Sequence, residues 1–220
     1  MIYLVIQVMA SSPSPTRSQT NTRARIVDAA RFLFWEKGYA ATGLAELLAR
    51  AGANSGSFYH FFDSKDAVLR TVLETYRDLL EPLVVRPAFE AHARPLDRIF
   101  ALLDGYRQRL VGTDCQYGCP IGRLALELDP ENTPAHALIA QNFTDWRAAV
   151  ETCVREAGIP TPTDVAAFVL TVMEGAVMQS RAYRSLEPYD ASVRQLRLHL
   201  TALAKPAVGP TRAKKSRRAR

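Results

Sequence analysis

Residues 42–65 read Thr-Gly-Leu-Ala-Glu-Leu-Leu-Ala-Arg-Ala-Gly-Ala-Asn-Ser-Gly-Ser-Phe-Tyr-His-Phe-Phe-Asp-Ser-Lys, and this stretch decides the fold. Its leucines share one helical face at i, i+3, i+4 spacing: Leu44, Leu47 and Leu48. Gly52 follows Ala51 and supplies the positive φ at which helices commonly end. The spacing therefore predicts a short helix that stops near Ala51 and is followed by a tight turn.

A second short helix is predicted directly after this turn. Asn54 is suited to cap it, because its side-chain oxygen can accept a backbone N–H of the first turn. Its phenylalanines are expected to pack against the protein: Phe58, Phe61 and Phe62. Its polar residues are expected on the opposite face: Ser55, Ser57, Tyr59 and His60. Two helices joined by a glycine turn, with one face buried and the other free, have the form of a helix-turn-helix that reads DNA.

The same residues carry a family resemblance. The segment AGANSGSFYHFFDSKDAVL at residues 51–69 resembles the recognition segment of TetR-family transcriptional regulators, and the similarity extends upstream to residue 24. The upstream part is predicted to form a helix with one apolar face, and Asp63 and Ser64 are expected to cap the helix that begins at Lys65. The residues of that apolar face are Ile26, Ala29, Ala30, Leu33 and Phe34. Two positions depart from the family pattern, since Gly43 replaces a hydroxyl residue and Ala53 replaces a larger apolar one. The resemblance implies an all-α fold of about nine helices. It also implies a three-helix DNA-binding module at residues 21–66 and a ligand-binding and dimerisation domain at residues 67–205.

The resemblance assigns DNA contacts to particular residues. In similar proteins the positions of four residues contact phosphates or base edges: Thr42, Tyr59, His60 and Lys65. Small residues that follow the Asn54 cap let backbone N–H groups approach the major groove: Ser55, Gly56 and Ser57. Gly43 can contribute only its backbone N–H. Because the second helix has no Arg, Asn or Gln beyond its cap, the operator sequence is not predicted.

The charge distribution favours DNA binding by the N-terminal module. The net charge is +6, but residues 211–220 alone hold six basic side chains, and the remaining 22 basic residues match 22 acidic ones. Residues 1–65 carry seven Lys or Arg against four Asp or Glu, whereas residues 66–210 carry a small acidic surplus. The basic residues near the C-terminus are either a second DNA contact or part of a disordered, solvated tail at residues 206–220.

Beyond Lys65 the apolar spacing stays helical. Helices are predicted over residues 65–80, 96–111, 120–128, 133–157, 162–184 and 189–204. Pro82, Pro87 and Pro95 are expected to interrupt the chain between the first two. The helix over residues 162–184 has more apolar residues than one narrow stripe uses, which predicts a second buried face. In TetR-like proteins the last two helices form the homodimer interface, and two-fold symmetry suits a palindromic operator in double-stranded DNA.

The segment YGCPIGRLALEL at residues 117–128 is the second informative stretch. It resembles the G-C-x-x-x-x-L-A-x-E segment of a branch of TetR regulators that includes repressors sensing reactive electrophiles or acrylate, and others sensing flavonoid-type ligands. Pro120 at the first helical position places Cys119 at the N-cap, where the helix dipole can lower a thiol pKa. Cys119 is thus either a reactive sensor or a small structural cysteine, and Cys115 is either its resolving thiol or part of a loop.

A mostly apolar pocket for a small-molecule effector of unknown identity is expected among the middle helices. Its candidate lining residues are Tyr106, Cys119, Phe143, Trp146, Phe168 and Met173. No cofactor is expected, and no nearby His or carboxylate completes a metal site with Cys115 and Cys119. An enzyme is a weaker alternative, because no nucleophile elbow, phosphate loop or HExxH motif is present. An architectural DNA binder is another, but it leaves the apolar C-terminal helices unexplained.

The remaining expectations concern the location of the protein and its N-terminus. No apolar stretch approaches the length of a membrane span. Three cysteines without a secretory signal predict a reducing cytoplasm. Residues 1–20 are expected to form a disordered arm. Because an apolar opening precedes a polar Ser/Pro-rich linker, translation can start at Met1 or at Met9, and the sequence leaves both alternatives open.

Overall fold

A computed structural model of the protein describes residues 22–129 and 131–204, and these ranges are helical without any strand. The helices are α1 (Thr22–Glu36), α2 (Leu44–Ala51), α3 (Ser55–Phe61), α4 (Lys65–Leu80), α5 (Arg86–Ala91), α6 (Pro95–Gly112), α7 (Pro120–Glu127), α8 (Thr133–Glu156), α9 (Pro162–Tyr183) and α10 (Glu187–Leu203). The expected all-α class is confirmed. The expected N-terminal arm, the basic tail and the choice of start codon lie outside the described residues.

Helices α1 to α3 form the N-terminal module around a shared apolar core. The predicted face of α1 is buried as expected: Ile26, Ala29, Ala30, Leu33 and Phe34. Gly52 ends α2 at a φ of +58°, and its N–H donates to the carbonyl of Ala49. Ser64 then caps α4 by accepting the N–H of Ala67. These local signals place the turn and both neighbouring helices where the sequence predicts them.

The expected interruption after α4 does not occur. A π-helical segment, Glu81–Val85, joins α4 to α5, so residues 65–91 form one continuous helical rod. Pro82 lies in the first turn of this segment, and the N–H of Arg86 donates to the carbonyl of Glu81, five residues earlier. The wider π-helical turn accommodates the proline, whose ring would clash with a carbonyl in a regular α-helix. Counted with this rod as one element, the described residues contain nine helices.

Helices α6 and α8 to α10 make up most of the remaining core. Tyr189 is buried, and its hydroxyl donates to the carbonyl of Leu103 over 2.7 Å, which ties α10 to α6. Val169 and Met173 of α9 are also buried within the subunit. Large apolar side chains nevertheless remain exposed on α9 and α10: Phe168, Met178, Tyr183 and Leu198. The described helices include none that is long and apolar enough to cross a membrane.

The hydrogen bond of Tyr189 provides a test of this packing. Tyr189→Phe removes the buried hydroxyl, so the carbonyl of Leu103 loses this hydrogen bond. The free energy of unfolding should fall by about 1–2 kcal/mol. Urea unfolding monitored by circular dichroism measures the change. Tyr183→Phe is the matched control, because the Tyr183 side chain is 72% exposed. Equal stability of the two variants would show that the contact does not stabilise the core.

Candidate nucleic-acid interface and internal cavity

The second helix of the predicted pair, α3, presents a polar free face. The side chain of Asn54 accepts the N–H of Ser57 at 2.8 Å, so the predicted cap is present. Phe58 is fully buried, whereas Tyr59 is 59% exposed and His60 is also exposed. Ser55 and Gly56 are exposed at the start of the helix. This arrangement leaves the helix N-terminus and one face free to approach a phosphate or a groove.

The position of Phe61 differs from the prediction. Its side chain is 37% exposed and packs edge-on against His60, with ring centroids 4.6 Å apart. The reason is the shortness of α3, which ends at Phe61, so that Phe62 adopts an extended conformation and turns into the core. Helical spacing therefore assigned one phenylalanine too many to the buried face, and Phe61 joins the free face.

Thr42 is not available as a side-chain phosphate ligand. It is fully buried, and its hydroxyl donates to the carbonyl of Gly38 over 2.6 Å. This part of the prediction is wrong, because the hydroxyl closes the turn before α2 instead of facing solvent. Gly43, the residue that follows, is exposed and has an extended backbone at the N-cap of α2. A DNA contact in this turn would therefore use the backbone of Gly43.

Lys65 also stabilises this turn. Its ammonium donates to the carbonyls of Tyr39 at 2.9 Å and Thr42 at 3.0 Å, and it lies 4.2 Å from the centroid of the Tyr39 ring. Partial burial lowers the pKa of Lys65. Two of its three protons are used in these contacts, which leaves one for a phosphate. The family resemblance assigned Lys65 a DNA contact, and the structure gives it a positioning contact in this turn as well.

A carboxylate from the second half of the chain holds the same turn. Glu127, at the end of α7, accepts the N–H groups of Tyr39 at 3.1 Å and Ala40 at 2.7 Å. Gly38 has a φ of +96°, and a Cβ at this position would collide with the Glu127 carboxylate. Charge-assisted bonds of this kind stabilise by about 1.5–3 kcal/mol each. The sequence around Glu127 gives no indication of this contact, because its two partners lie 88 and 87 positions earlier in the chain.

Further contacts join α7 and the preceding loop to α1. The guanidinium of Arg123 donates to the carbonyl of Glu36 at 3.2 Å, and the indole of Trp35 donates to the carbonyl of Gly118 at 2.8 Å. Tyr117 packs edge-on against Trp35 with centroids 5.0 Å apart. Each contact spans more than 80 positions of sequence, which is why no local pattern indicates them. Helix α7 is thereby fixed to the N-terminal module at both ends.

An internal cavity of about 500 Å³ lies behind α7. Its lining comes from α4 and α5 with the π-helical segment between them, from α6, from the start of α7, and from α8 and α9. Four predicted lining residues are present: Tyr106, Cys119, Phe143 and Trp146. The lining also includes residues the sequence analysis did not single out: Leu83, Val84, Pro87, Asp104, Arg109 and Glu174. This volume suits a drug-sized molecule.

Two predicted lining residues lie elsewhere. Phe168 is 47% exposed and packs against His199 of α10, and Met173 is buried in the core of the subunit. The cavity instead meets the neighbouring face of α9, through Leu170 and Glu174. A single carboxylate within the apolar sequence Val172 to Val177 was the available indication that this face is not ordinary core.

The surroundings of Cys119 oppose a reactive thiolate. Cys119 is the N-cap of α7, and its sulfur accepts the N–H of Gly122 at 3.4 Å. Burial and the nearby Glu174 carboxyl nevertheless raise the pKa of Cys119 far above the ordinary thiol value. Burial raises the pKa values of Cys115 and Cys153 as well, the latter to about 11. Of the two alternatives for Cys119, this environment favours the small structural cysteine, because desolvation outweighs the helix N-terminus and keeps the thiol protonated near neutral pH.

Comparisons with known proteins cover both halves of the chain. Residues 26–72 match the family model for bacterial regulatory proteins of the tetR family. Residues 95–195 match the model described as transcriptional regulator LmrA/YxaF-like, C-terminal domain. Among solved structures, regulatory protein TetR from Rhodobacter sphaeroides superposes with a TM-score of 0.74 at 22% identity, covering 81% of this chain and 98% of that chain. The reduced form of Escherichia coli NemR gives a TM-score of 0.71 at 24% identity, covering 86% and 100%.

Sequence relatives extend the comparison. The Escherichia coli repressor NemR is 26% identical over 206 residues, which cover 87% of this chain and 98% of that protein. An uncharacterised HTH-type transcriptional regulator of Mycobacterium tuberculosis is 33% identical over 187 residues, or 82% of this chain and 94% of that one. With this identity over most of its length, and with both halves matched by regulator models, the chain belongs to the TetR family of transcriptional regulators.

Proposed function

We propose that this protein is a cytoplasmic homodimeric repressor that binds a palindromic operator and is released when a small molecule occupies the internal cavity. Residues 21–66 would bind DNA, and residues 67–205 would bind the effector and dimerise. One observation supports this assignment most strongly. Helix α7 lines the cavity with Cys119 and Pro120 at its start, and its last residue, Glu127, holds the backbone of the helix-turn-helix module.

The proposed DNA surface consists of the free face of α3 and the backbone at the start of α2. It comprises Gly43, Asn54, Ser55, Gly56, Ser57, Tyr59, His60 and the remaining proton of Lys65. Most of these groups are neutral donors suited to phosphates, and they fix the position of the helix more than they read bases. The chain offers few bidentate side chains here, which is consistent with a contribution from DNA shape to operator choice.

The proposed dimer surface is the exposed face of α9 and α10. The exposed positions on one face of α9 include Phe168, Thr171 and Met178, which are three and then seven residues apart, and Leu198 is exposed on α10. Exposed apolar side chains clustered on two adjacent helices are typical of a protein–protein interface. Two-fold pairing through this face would present two copies of α3 to successive major grooves of a palindrome.

Effector binding would act through α7. The helix has eight residues and is about 12 Å long, so it reaches from the cavity to the turn at residues 38–42 without an intermediate element. A ligand that displaces the start of α7 would move Glu127 and with it the turn that orients α2 and α3. Such a ligand releases DNA to the extent that it binds this displaced conformation better than the DNA-binding one.

The DNA surface is tested by Tyr59→Phe. Loss of the exposed hydroxyl removes one phosphate donor and should weaken binding to the chain's own upstream region roughly fivefold, corresponding to about 1 kcal/mol. Fluorescence anisotropy with a labelled DNA fragment measures the affinity at one fixed salt concentration. Tyr183→Phe, far from α3, should bind as the parent protein does. Parental affinity for the Tyr59 variant would remove that hydroxyl from the interface.

The dimer surface is tested by charge insertion. Met178→Glu combined with Leu198→Glu places carboxylates on the proposed contact and should give a folded monomer with strongly reduced operator affinity. Sedimentation velocity measures the mass. Val111→Glu is the control, because Val111 is 48% exposed at the end of α6, away from this face. If the double variant and the control are both dimers, the subunits meet through another surface.

The route through α7 is tested without knowing the effector. Gly105 lines the cavity, and among the described residues no atom lies within 4 Å of the point that a Cβ would occupy there. Gly105→Leu therefore partly fills the cavity and imitates an occupant. We expect about a tenfold loss of operator affinity, and a smaller loss when the same change is made in a Glu127→Ala background. Ala140→Leu, on an exposed position of α8, is the control.

Glu127→Ala alone is expected to lower affinity as well, because two backbone N–H groups lose their acceptor. The decisive quantity is therefore the ratio between the two backgrounds. If Gly105→Leu reduces affinity by the same factor with and without Glu127, the cavity is coupled to DNA binding by another route.

A further inference from the structure

Two polar atoms in the cavity wall lack a partner of their own. The Oε1 atom of Glu174 and the Nε1 atom of Trp146 are both buried, and neither has a hydrogen-bond partner within residues 22–129 and 131–204. Glu174 belongs to α9 and Trp146 belongs to α8, and both side chains line the cavity. Buried polar groups in proteins are nearly always paired, and each unpaired group has a cost that a ligand can remove.

The two atoms have opposite hydrogen-bonding character. The indole nitrogen can only donate, whereas the Glu174 oxygen accepts in either protonation state of the carboxyl group. Burial raises the pKa of Glu174, while a hydrogen bond with Cys119 and the positive charge of Arg109 oppose that shift. An occupant that satisfies both atoms therefore needs an acceptor for Trp146 and an O–H or N–H donor for Glu174.

The rest of the cavity wall determines what kind of molecular skeleton can connect the two polar groups of the ligand. Most lining side chains are aliphatic or aromatic, including Leu83, Val84 and Phe143. The rings of Tyr106 and Trp146 lie edge to face with centroids 6.2 Å apart, and the guanidinium of Arg109 lies 4.9 Å from the Tyr106 centroid. The lining holds two carboxyl groups, Asp104 and Glu174, together with the Arg109 guanidinium and the His92 imidazole. A carboxylate or phosphate on the ligand has no proton to donate to the Glu174 oxygen, and it would lie beside that carboxyl group.

We infer that the occupant of this cavity is a neutral or cationic, mostly apolar molecule that donates an O–H or N–H to Glu174 and accepts the indole N–H of Trp146. This inference rests on the proposed function, in which the cavity holds the effector. It specifies the ligand by complementary polar atoms on an apolar skeleton and excludes anionic ligands.

Four probes with one skeleton test the inference: 4-(benzyloxy)benzyl alcohol, 4-(benzyloxy)benzylamine, 4-(benzyloxy)toluene and 4-(benzyloxy)benzoate. All carry an ether oxygen that can accept from Trp146, and they differ only in the group offered to Glu174. Isothermal titration calorimetry of the full chain measures binding. The alcohol or the amine should bind at least about tenfold more tightly than the toluene and the benzoate. Whichever of the two is tighter identifies a hydroxyl or an ammonium as the preferred donor.

Two variants separate the contributions of the atoms. Glu174→Leu should abolish the advantage of the alcohol and amine over the toluene, and Trp146→Phe should weaken all four probes by a similar factor. Glu174→Leu also removes the hydrogen bond between this carboxyl group and Cys119, so its urea midpoint is measured beside that of the parent protein to show that the variant is folded. Glu74→Leu, the same change at an exposed position of α4 outside the cavity lining, is the control and should keep the parental ranking.

The outcomes distinguish this inference from the proposed function. If the toluene or the benzoate binds as tightly as the alcohol and the amine, if no probe binds, or if Glu174→Leu keeps the parental ranking, the inference is overturned. Operator release by the same probes is followed separately by anisotropy. Glu174-dependent binding without release would support the ligand chemistry and contradict the effector role proposed above.

Discussion

The contact between the Glu127 carboxylate and the backbone N–H groups of Tyr39 and Ala40 is the interaction on which the arrangement of the two halves depends. It joins a helix of the C-terminal half to the turn that sets the direction of α2, and Lys65 holds the carbonyl side of the same turn. An acidic group thus binds the donors and a basic group binds the acceptors of one short loop. Because both ends of the peptide dipoles are held, the helix-turn-helix is oriented by electrostatics as well as by its apolar core.

The parts of this structure that the sequence predicts are those encoded within a few residues. The Asn54 and Ser64 caps, the Gly52 turn and the apolar face of α1 depend on neighbours in sequence, and the structure confirms them. The family resemblance further predicted a DNA-binding module at residues 21–66, and the tetR family model matches residues 26–72. The cavity was predicted only in part, because its wall brings together five separate stretches of the chain. Phe168 and Met173 are apolar, as most cavity-lining residues are. A helix of 22 residues has several apolar faces, however, and the sequence does not indicate which of them meets a cavity.

The competition at Cys119 shows why composition and position alone misjudge a thiol. A helix N-terminus stabilises a nearby charge by about 0.3–1 kcal/mol at exposed sites, whereas burial can shift a pKa by several units, each worth about 1.4 kcal/mol. Cys119 has both features, since it caps α7 and is buried beside Glu174. The larger effect determines the protonation state. The N-cap position could be inferred from Pro120, but the burial and the carboxylate came from α9 and could not.

The π-helical segment of the rod has a geometric consequence for how the chain can vary. A π-helical turn contains one residue more than an α-helical turn, so it changes the phase of everything that follows it by about 100°. Side chains before it pack on the N-terminal module, including Val68 and Val72, and side chains after it line the cavity, including Val84 and Pro87. Deleting Pro82 and closing Glu81–Val85 into a regular α-helical turn would leave α5 on its present contacts, because the lost residue is the extra one that the wider turn holds. The number of residues is therefore constrained in the rest of the rod, where each deletion rotates the following side chains by about 100°, whereas a relative one residue shorter within Glu81–Val85 keeps the same side chains toward its cavity.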